Sequence, residues 1–382
     1  MPGTLAPLVK ASVRIDGLEY HAAATLSDPS ASASEYKPKR SQFASKKPLA
    51  ESGGDRVVAR RAYDPCRERF RSLDQGSVRR RDEKVMILVT GATGFIGKHL
   101  VAALRSLEQP TRCLIRSRSR GRQLEAQDCA LARGDMTDPA SLRAACDGVD
   151  TVVHLVAIIR GRAGDFERVM TSGTQALIEA ASEARVQRFV LVSALGLDQS
   201  THELTPYYRA KWEEERLLKA SGLEYVIFRP SFVFGHDGGV LPTFLRLVRY
   251  SPITPVLGPG TQQIQPISVE DVVAHLVKGL DLGPARDRSF DLVGPDRVSW
   301  DELYALIARV LGKRRLRAHI PFSLARAQAT LLDRLPGFPF TRDQLKMLAA
   351  GDNVGDTEST RRVFQLPLTS LEDQIRSAVV RA

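Results

Sequence analysis

From Lys84 onward the chain alternates short apolar runs with amphipathic stretches. The runs lie at 85–89, 112–115, 129–132, 151–158, 188–193 and 224–229. Helical spacing fills the intervals at 97–107, 139–146, 165–184 and 207–221. A half-exposed strand would alternate apolar and polar positions. Continuous β-branched runs instead predict strands covered on both faces, which is the habit of a parallel sheet. Right-handed crossovers between such strands give a doubly wound α/β fold. Past Gly235 the pattern loosens around a Pro/Gly cluster at 252–260. It then predicts a helix near 269–280, a short strand at 289–293, a helix at 299–312 and a mixed segment to the end. We therefore expect a disordered extension over 1–84, a nucleotide-binding core over 85–235, and a smaller C-terminal α/β lobe over 236–382 completing one folded unit.

Composition sharpens this division. Among 382 residues, 43% are hydrophobic, enough for a sizeable core. The net charge of +11 invites a polyanion partner, but residues 1–84 hold 17 basic and 11 acidic side chains, more than half of the excess. That segment is rich in Ser, Ala, Arg and Pro, shows no sustained apolar period, and resembles neither a signal peptide nor an acid-poor transit peptide. Met86 would be a natural start. Nucleic-acid binding is thus a minor reading. No apolar stretch approaches the roughly 20 residues needed to span a bilayer. Cys66, Cys113, Cys129 and Cys146 form no C-x-x-C pair and read as buried small hydrophobes. No His, Cys, Asp and Glu grouping has metal-site spacing.

The first strand runs into Gly91-Ala92-Thr93-Gly94-Phe95-Ile96-Gly97, a G-x-x-G-x-x-G turn opening a helix. Gly91 suits the tight turn, Gly94 a close approach of backbone to a pyrophosphate, and Gly97 close helix–strand packing. The helix N-terminus adds N–H donors and positive dipole. The second strand ends without a carboxylate for a ribose diol. Arg116 and Arg118 follow it instead, and guanidiniums suit a 2′-phosphate. NADP(H) is expected ahead of NAD(H). Asp135, after the third strand, is placed to accept from the adenine amino group, while Asp138 reads as a helix cap.

Ser193 ends the fifth strand. Fourteen residues on, Tyr207 and Lys211 stand four apart, sharing one helix face. An ammonium beside a phenol would lower its pKa, letting Tyr207 move a proton while Ser193 orients a substrate oxygen. Lys211 could also hold the nicotinamide ribose. Tyr208 is the weaker candidate. His154 and His275 sit in apolar runs and read as core histidines.

Together these residues resemble the short-chain dehydrogenase/reductase superfamily in its extended or atypical branch, over about 85–382. The motifs are Thr90–Gly97, Gly134-Asp135, the run 152–157, Ser193, Tyr207 with Lys211, and the stretch 229–235. Segments 255–260, 265–272, 341–345 and 352–354 resemble the group related to the nucleotide-binding accessory subunit of respiratory complex I. The resemblance implies a Rossmann-like fold. It implies cofactor contacts at Gly91, Thr93, Gly94, Phe95, Ile96, Gly97, Arg116, Arg118, Asp135, Met136, Val156, Ala157, Lys211 and Pro230. It also implies a cytoplasmic place, or a peripheral one at an inner membrane on a respiratory complex. One departure stands out. Extended members carry asparagine where this chain has Met170, which cannot supply an amide's hydrogen bonds. Sugar-nucleotide chemistry is therefore not expected. The leading expectation is an oxidoreductase, or related isomerase, acting on a small or lipophilic carbonyl or alcohol such as a quinone. The alternative is a non-catalytic nucleotide-binding accessory or sensor protein.

Overall fold

The structure, a computed structural model, describes residues 12–15, 18–21, 85–281, 283–332 and 342–381. The expected extension over 1–84 lies outside the described residues, apart from an antiparallel hairpin of β1 (Ser12–Ile15) and β2 (Leu18–His21). Cys66 also lies outside them.

The main body is a seven-stranded sheet. Its N-terminal part uses β3 (Ile87–Thr90), α1 (Phe95–Ser106), β4 (Thr111–Ile115), α2 (Arg118–Glu125), β5 (Ala130–Arg133), α3 (Pro139–Cys146) and β6 (Thr151–His154). The chain continues through α4 (Ala163–Phe166), a π-helical turn (Glu167–Thr171), α5 (Ser172–Glu183), β7 (Arg188–Val192), α6 (Pro206–Ala220) and β8 (Glu224–Pro230). Every pairing is parallel, in the order β13-β8-β7-β6-β3-β4-β5, where β13 is Arg288–Leu292. The order reverses between β3 and β6, which is where such sheets open a ligand crevice at the strands' carboxyl ends. Helices cover both faces. Leu100 and Leu104 of α1 pack on one side with Val89 and Val153, and Leu142 and Leu177 pack on the other with Val152 and Leu191.

The rest of the chain supplies β9 (Val233–Phe234), α7 (Leu241–Tyr250), β10 (Ile253–Leu257), β11 (Gln263–Ile264), β12 (Ile267–Ser268) and α8 (Val269–Gly279). After these come β13 (Arg288–Leu292), β14 (Val298–Ser299), α9 (Trp300–Val310), β15 (Leu316–Ile320), α10 (Phe322–Leu332), α11 (Arg342–Ala349), α12 (Thr357–Phe364) and α13 (Leu371–Arg381). The strand expected at 289–293 is β13, and it enters the main sheet beside β8. The C-terminal part thus completes the sheet as well as leaning on it. Two further expectations shift. The apolar run at 151–158 leaves the sheet after His154, and the helix expected over 165–184 is interrupted by the π-helical turn. Cys113, Cys129 and Cys146 are free and buried.

Candidate functional site

The glycine turn sits at the switch point. Gly91 has φ +75°, and a Cβ there would lie 3.0 Å from the Leu155 carbonyl carbon and 3.1 Å from the Val156 nitrogen, backbone atoms just beyond β6. A Cβ on Gly97 would lie 2.2 Å from the Gly91 oxygen. Helix α1 therefore rests on the turn at a distance only glycine permits. Gly94 caps α1 with no side-chain hydrogen bond and no acidic residue in the first turn. An uncapped N-terminus with a bare approach fits a dinucleotide pyrophosphate. Thr93 is exposed and Ile96 half-buried, but Phe95 turns its ring onto Gly235 and Gly238.

Arg116 is exposed just past β4, and its charge helps hold the Asp135 carboxyl below its usual range. The largest contribution to that shift comes from Thr137, whose backbone N–H (2.9 Å) and hydroxyl (2.7 Å) both donate to Asp135 Oδ1. One oxygen of Asp135 is thus spent on its own turn. Asp138 caps α3 through Ala140 and Ser141, as expected. Arg118 opens α2. Met136 is buried, packed under Gly173. Val156 and Pro230 are half-buried and Ala157 is exposed along the carboxyl edge.

The far end of the crevice is built from α6 and the ends of β7 and β8. Thr205 caps α6 by accepting from the Tyr208 N–H at 3.1 Å, and Pro206 begins the helix. Tyr207 falls in the first turn and Lys211 one turn later. Lys211 is only 1% exposed. Its ammonium donates to the Val192 carbonyl at 2.9 Å and to Glu214 Oε2 at 2.8 Å. Glu214 Oε1 accepts from Thr174 Oγ1 at 3.2 Å; Thr174 Oγ1 lies 2.9 Å from His154 Nε2, and His154 Nδ1 lies 2.6 Å from Thr90 Oγ1. With Glu214 accepting, this order puts the proton on His154 Nε2. Burial first, then Lys211, lowers the His154 pKa to about 3, so the ring is neutral. His154 is the core histidine that was expected; His275 is likewise buried, its Nδ1 2.7 Å from the Asp271 carbonyl oxygen.

The anticipated lowering of the Tyr207 pKa by Lys211 is not what the geometry gives. Burial, with the Glu214 carboxylate second, pushes the phenol above its ordinary value. No hydrogen bond among the described residues joins Tyr207 to Ser193 or Lys211. The Tyr207 ring packs with Ile158, Phe166, Met170 and Ala210, so Met170 supplies apolar surface where the family pattern has an amide. Tyr208 is buried and donates to the Leu195 carbonyl at 3.2 Å.

Ser193 Oγ is buried without a hydrogen bond of good geometry, yet lies close enough to Glu215 to favour that carboxylate's ionised form. Burial works against a charged Glu215. Arg229, bidentate at 2.8 and 2.5 Å, together with Ser193 and with Lys219 at 3.0 Å, outweighs it and keeps the pKa low. Glu214, Glu215, Arg229 and Thr174 were not singled out from sequence. The available signal was two carboxylates three and four residues past Lys211, on its own helix face. Asn353, in a segment flagged only by resemblance, accepts from Ser231 Oγ at 2.6 Å.

Among the described residues no group of three or more His, Cys, Asp or Glu could hold a metal, and no helix is long and apolar enough to cross a membrane.

A parallel sheet in this strand order, with an uncapped glycine turn at its switch point, defines a dinucleotide-binding protein of Rossmann type. The chain belongs to the NAD(P)H-binding family, whose model matches residues 91–278. It is 30% identical over 244 residues to the ceramide reductase of Caulobacter vibrioides, covering 63% of this chain and 75% of that protein. It is 27% identical over 290 residues to the mitochondrial NADH dehydrogenase [ubiquinone] 1 alpha subcomplex subunit 9 of Arabidopsis thaliana, covering 71% of each. The fold matches the Escherichia coli NADPH-dependent quinone oxidoreductase in complex with NADPH, with a TM-score of 0.63 at 21% identity over 77% of this chain and 100% of that one.

Proposed function

We propose that this chain is an NADP(H)-dependent reductase of a small or lipophilic carbonyl, with quinone-like compounds in range. The carrying observation is Tyr207. Its phenol, un-ionised as a tyrosine is at neutral pH, stands beside an apolar wall of Ile158, Phe166 and Met170. A neutral phenol there is a proton donor, the group that reduction of a carbonyl requires. Ser193, whose buried Oγ makes no hydrogen bond of good geometry, would orient the carbonyl oxygen. The nicotinamide, when bound, supplies the hydride. Arg116, with Arg118 beside it, would take the 2′-phosphate, and Gly91–Gly97 the pyrophosphate. In this reading residues 85–235 carry the cofactor and 236–382 the substrate or partner side. The relatives named as ceramide reductase and quinone oxidoreductase support a lipophilic substrate. The test is NADPH oxidation across a panel of quinones and long-chain ketones. Turnover abolished by Tyr207→Phe supports the reading, and absence of turnover across the panel overturns it.

A second reading rests on Lys211. Its ammonium is enclosed by Glu214 and the Val192 carbonyl, so it would not reach a nicotinamide ribose without breaking that pair. This favours a nucleotide-binding accessory role, as on a respiratory complex like that of the subunit 9 relative. It predicts tight NADPH retention, no turnover and an indifferent Tyr207→Phe variant.

A further inference from the structure

Outside the crevice, one surface combines exposed apolar tips with uncompensated cations. Tyr250 ends α7 at 76% exposure, Ile253 begins β10 at 48%, and Leu316 begins β15 at 73%. The parallel register of β10 and β15 makes Ile253 and Leu316 direct partners. Arg315 ties the same corner to the end of α7, donating from Nε to the Val248 carbonyl at 2.7 Å and from Nη2 to the Arg249 carbonyl at 2.9 Å. The three apolar side chains therefore stand at one end of a two-stranded sheet, and β15 is exposed at Leu316 and the three residues after it.

Around them lie Arg246, Arg249, Lys313 and Arg314, none in an ion pair among the described residues, and Arg317, which meets Asp301 at 3.3 Å. The sequence contains no Asp or Glu between Asp237 and Glu270, nor between Glu302 and Asp333. Apolar tips within a field of one sign are the chemistry of a bilayer interface. The tips enter the headgroup and acyl boundary while guanidinium and ammonium groups meet lipid phosphates. Separate protruding tips, one of them a tyrosine with an apolar ring and a polar end, suit a fluid interface better than a fitted protein pocket.

We propose that the corner formed by Tyr250, Ile253 and Leu316 with Arg246, Arg249, Lys313 and Arg314 docks this protein peripherally on an anionic lipid surface. The surface lies on elements other than those forming the glycine turn, and the proposal does not depend on the identity of the substrate.

The experiment is co-sedimentation of the full chain with vesicles of phosphatidylcholine alone or mixed with phosphatidylglycerol. Binding is expected on the mixed vesicles only, weakening as salt rises. The triple variant Tyr250→Ser, Ile253→Ser, Leu316→Ser leaves the charge unchanged and is expected to bind about tenfold or more weakly; Lys313→Glu with Arg314→Glu should do the same. NADPH titration of each variant, unchanged from wild type, shows that the fold is intact. Wild-type partitioning by the triple variant would overturn the proposal, because other basic segments would then be responsible. So would binding to neither vesicle, or a concentration-dependent dimer lost in Leu316→Ser without vesicle binding, which would make the surface a protein interface.

Discussion

The two ends of the crevice are built by opposite means. At the nucleotide end, backbone does the work: Gly91 and Gly97 bring strand, turn and helix together, and α1 is left uncapped. At the other end, buried charged side chains occupy one another. Lys211 is held by Glu214, which Thr174 and His154 tie to Thr90, and Glu215 is held by Arg229. The first end presents unspent hydrogen-bonding capacity to a ligand. The second has spent most of its own, leaving the Ser193 hydroxyl and the Tyr207 phenol.

The largest test of this contrast is the buried pair. Lys211→Met or Glu214→Leu alone strands a charge and should cost about 3–5 kcal/mol in chemical denaturation. Combining them should recover much of that loss, since both groups are below 2% exposed. Singles as stable as wild type would mean that the pair is not closed as described. Next comes Gly97→Ala. A Cβ 2.2 Å from the Gly91 oxygen must displace α1, a strain of ~1–3 kcal/mol. NADPH titration should show roughly ten- to a hundredfold weaker binding, whereas undiminished affinity would remove the glycine turn from the site. A smaller effect is expected of Arg116→Asp: about a tenfold loss of preference for NADPH over NADH, the scale of one exposed charge-assisted hydrogen bond. Unchanged preference would shift the role to another cation.

A further test is a pH slope. His154 in the folded state titrates at about 3, below its ordinary 6.5. Between those values the unfolded chain takes a proton that the native ring refuses. The stability is therefore complete above about 6.5 and declines as the pH falls toward 3. Urea midpoints across that window should fall more steeply for wild type than for His154→Gln, and parallel slopes would show that the ring is not shielded.

The contrast also explains what could be read in advance. A glycine turn after an apolar run dictates local geometry by itself, so Gly91, Gly94 and Gly97 were legible, as were six of the seven strands of the main sheet as core strands. Helix α2 was missed because Arg118–Glu125 contains a single large apolar residue, Leu124, and Ser117 at its start makes no side-chain cap hydrogen bond. The direction of the Tyr207 shift was missed for a different reason. Spacing puts Lys211 on the Tyr207 face, but three consecutive carboxylates follow it, and only packing decides that Glu214 turns inward to take the ammonium. Local rules see neighbours on a helix face; they do not see which neighbour is buried with which.

The place of β13 has a temporal consequence. Its partner β8 ends at Pro230, and their register joins Val226 to Arg288, 62 residues later. On a ribosome adding ~5–20 residues per second, β8 leaves the exit tunnel roughly 3–12 seconds before the strand that covers it. During that interval the nascent sheet carries an open, apolar edge competent to pair with a neighbouring chain. Slow codons or a chaperone hand-off between 230 and 288 would then bear on the yield of folded protein.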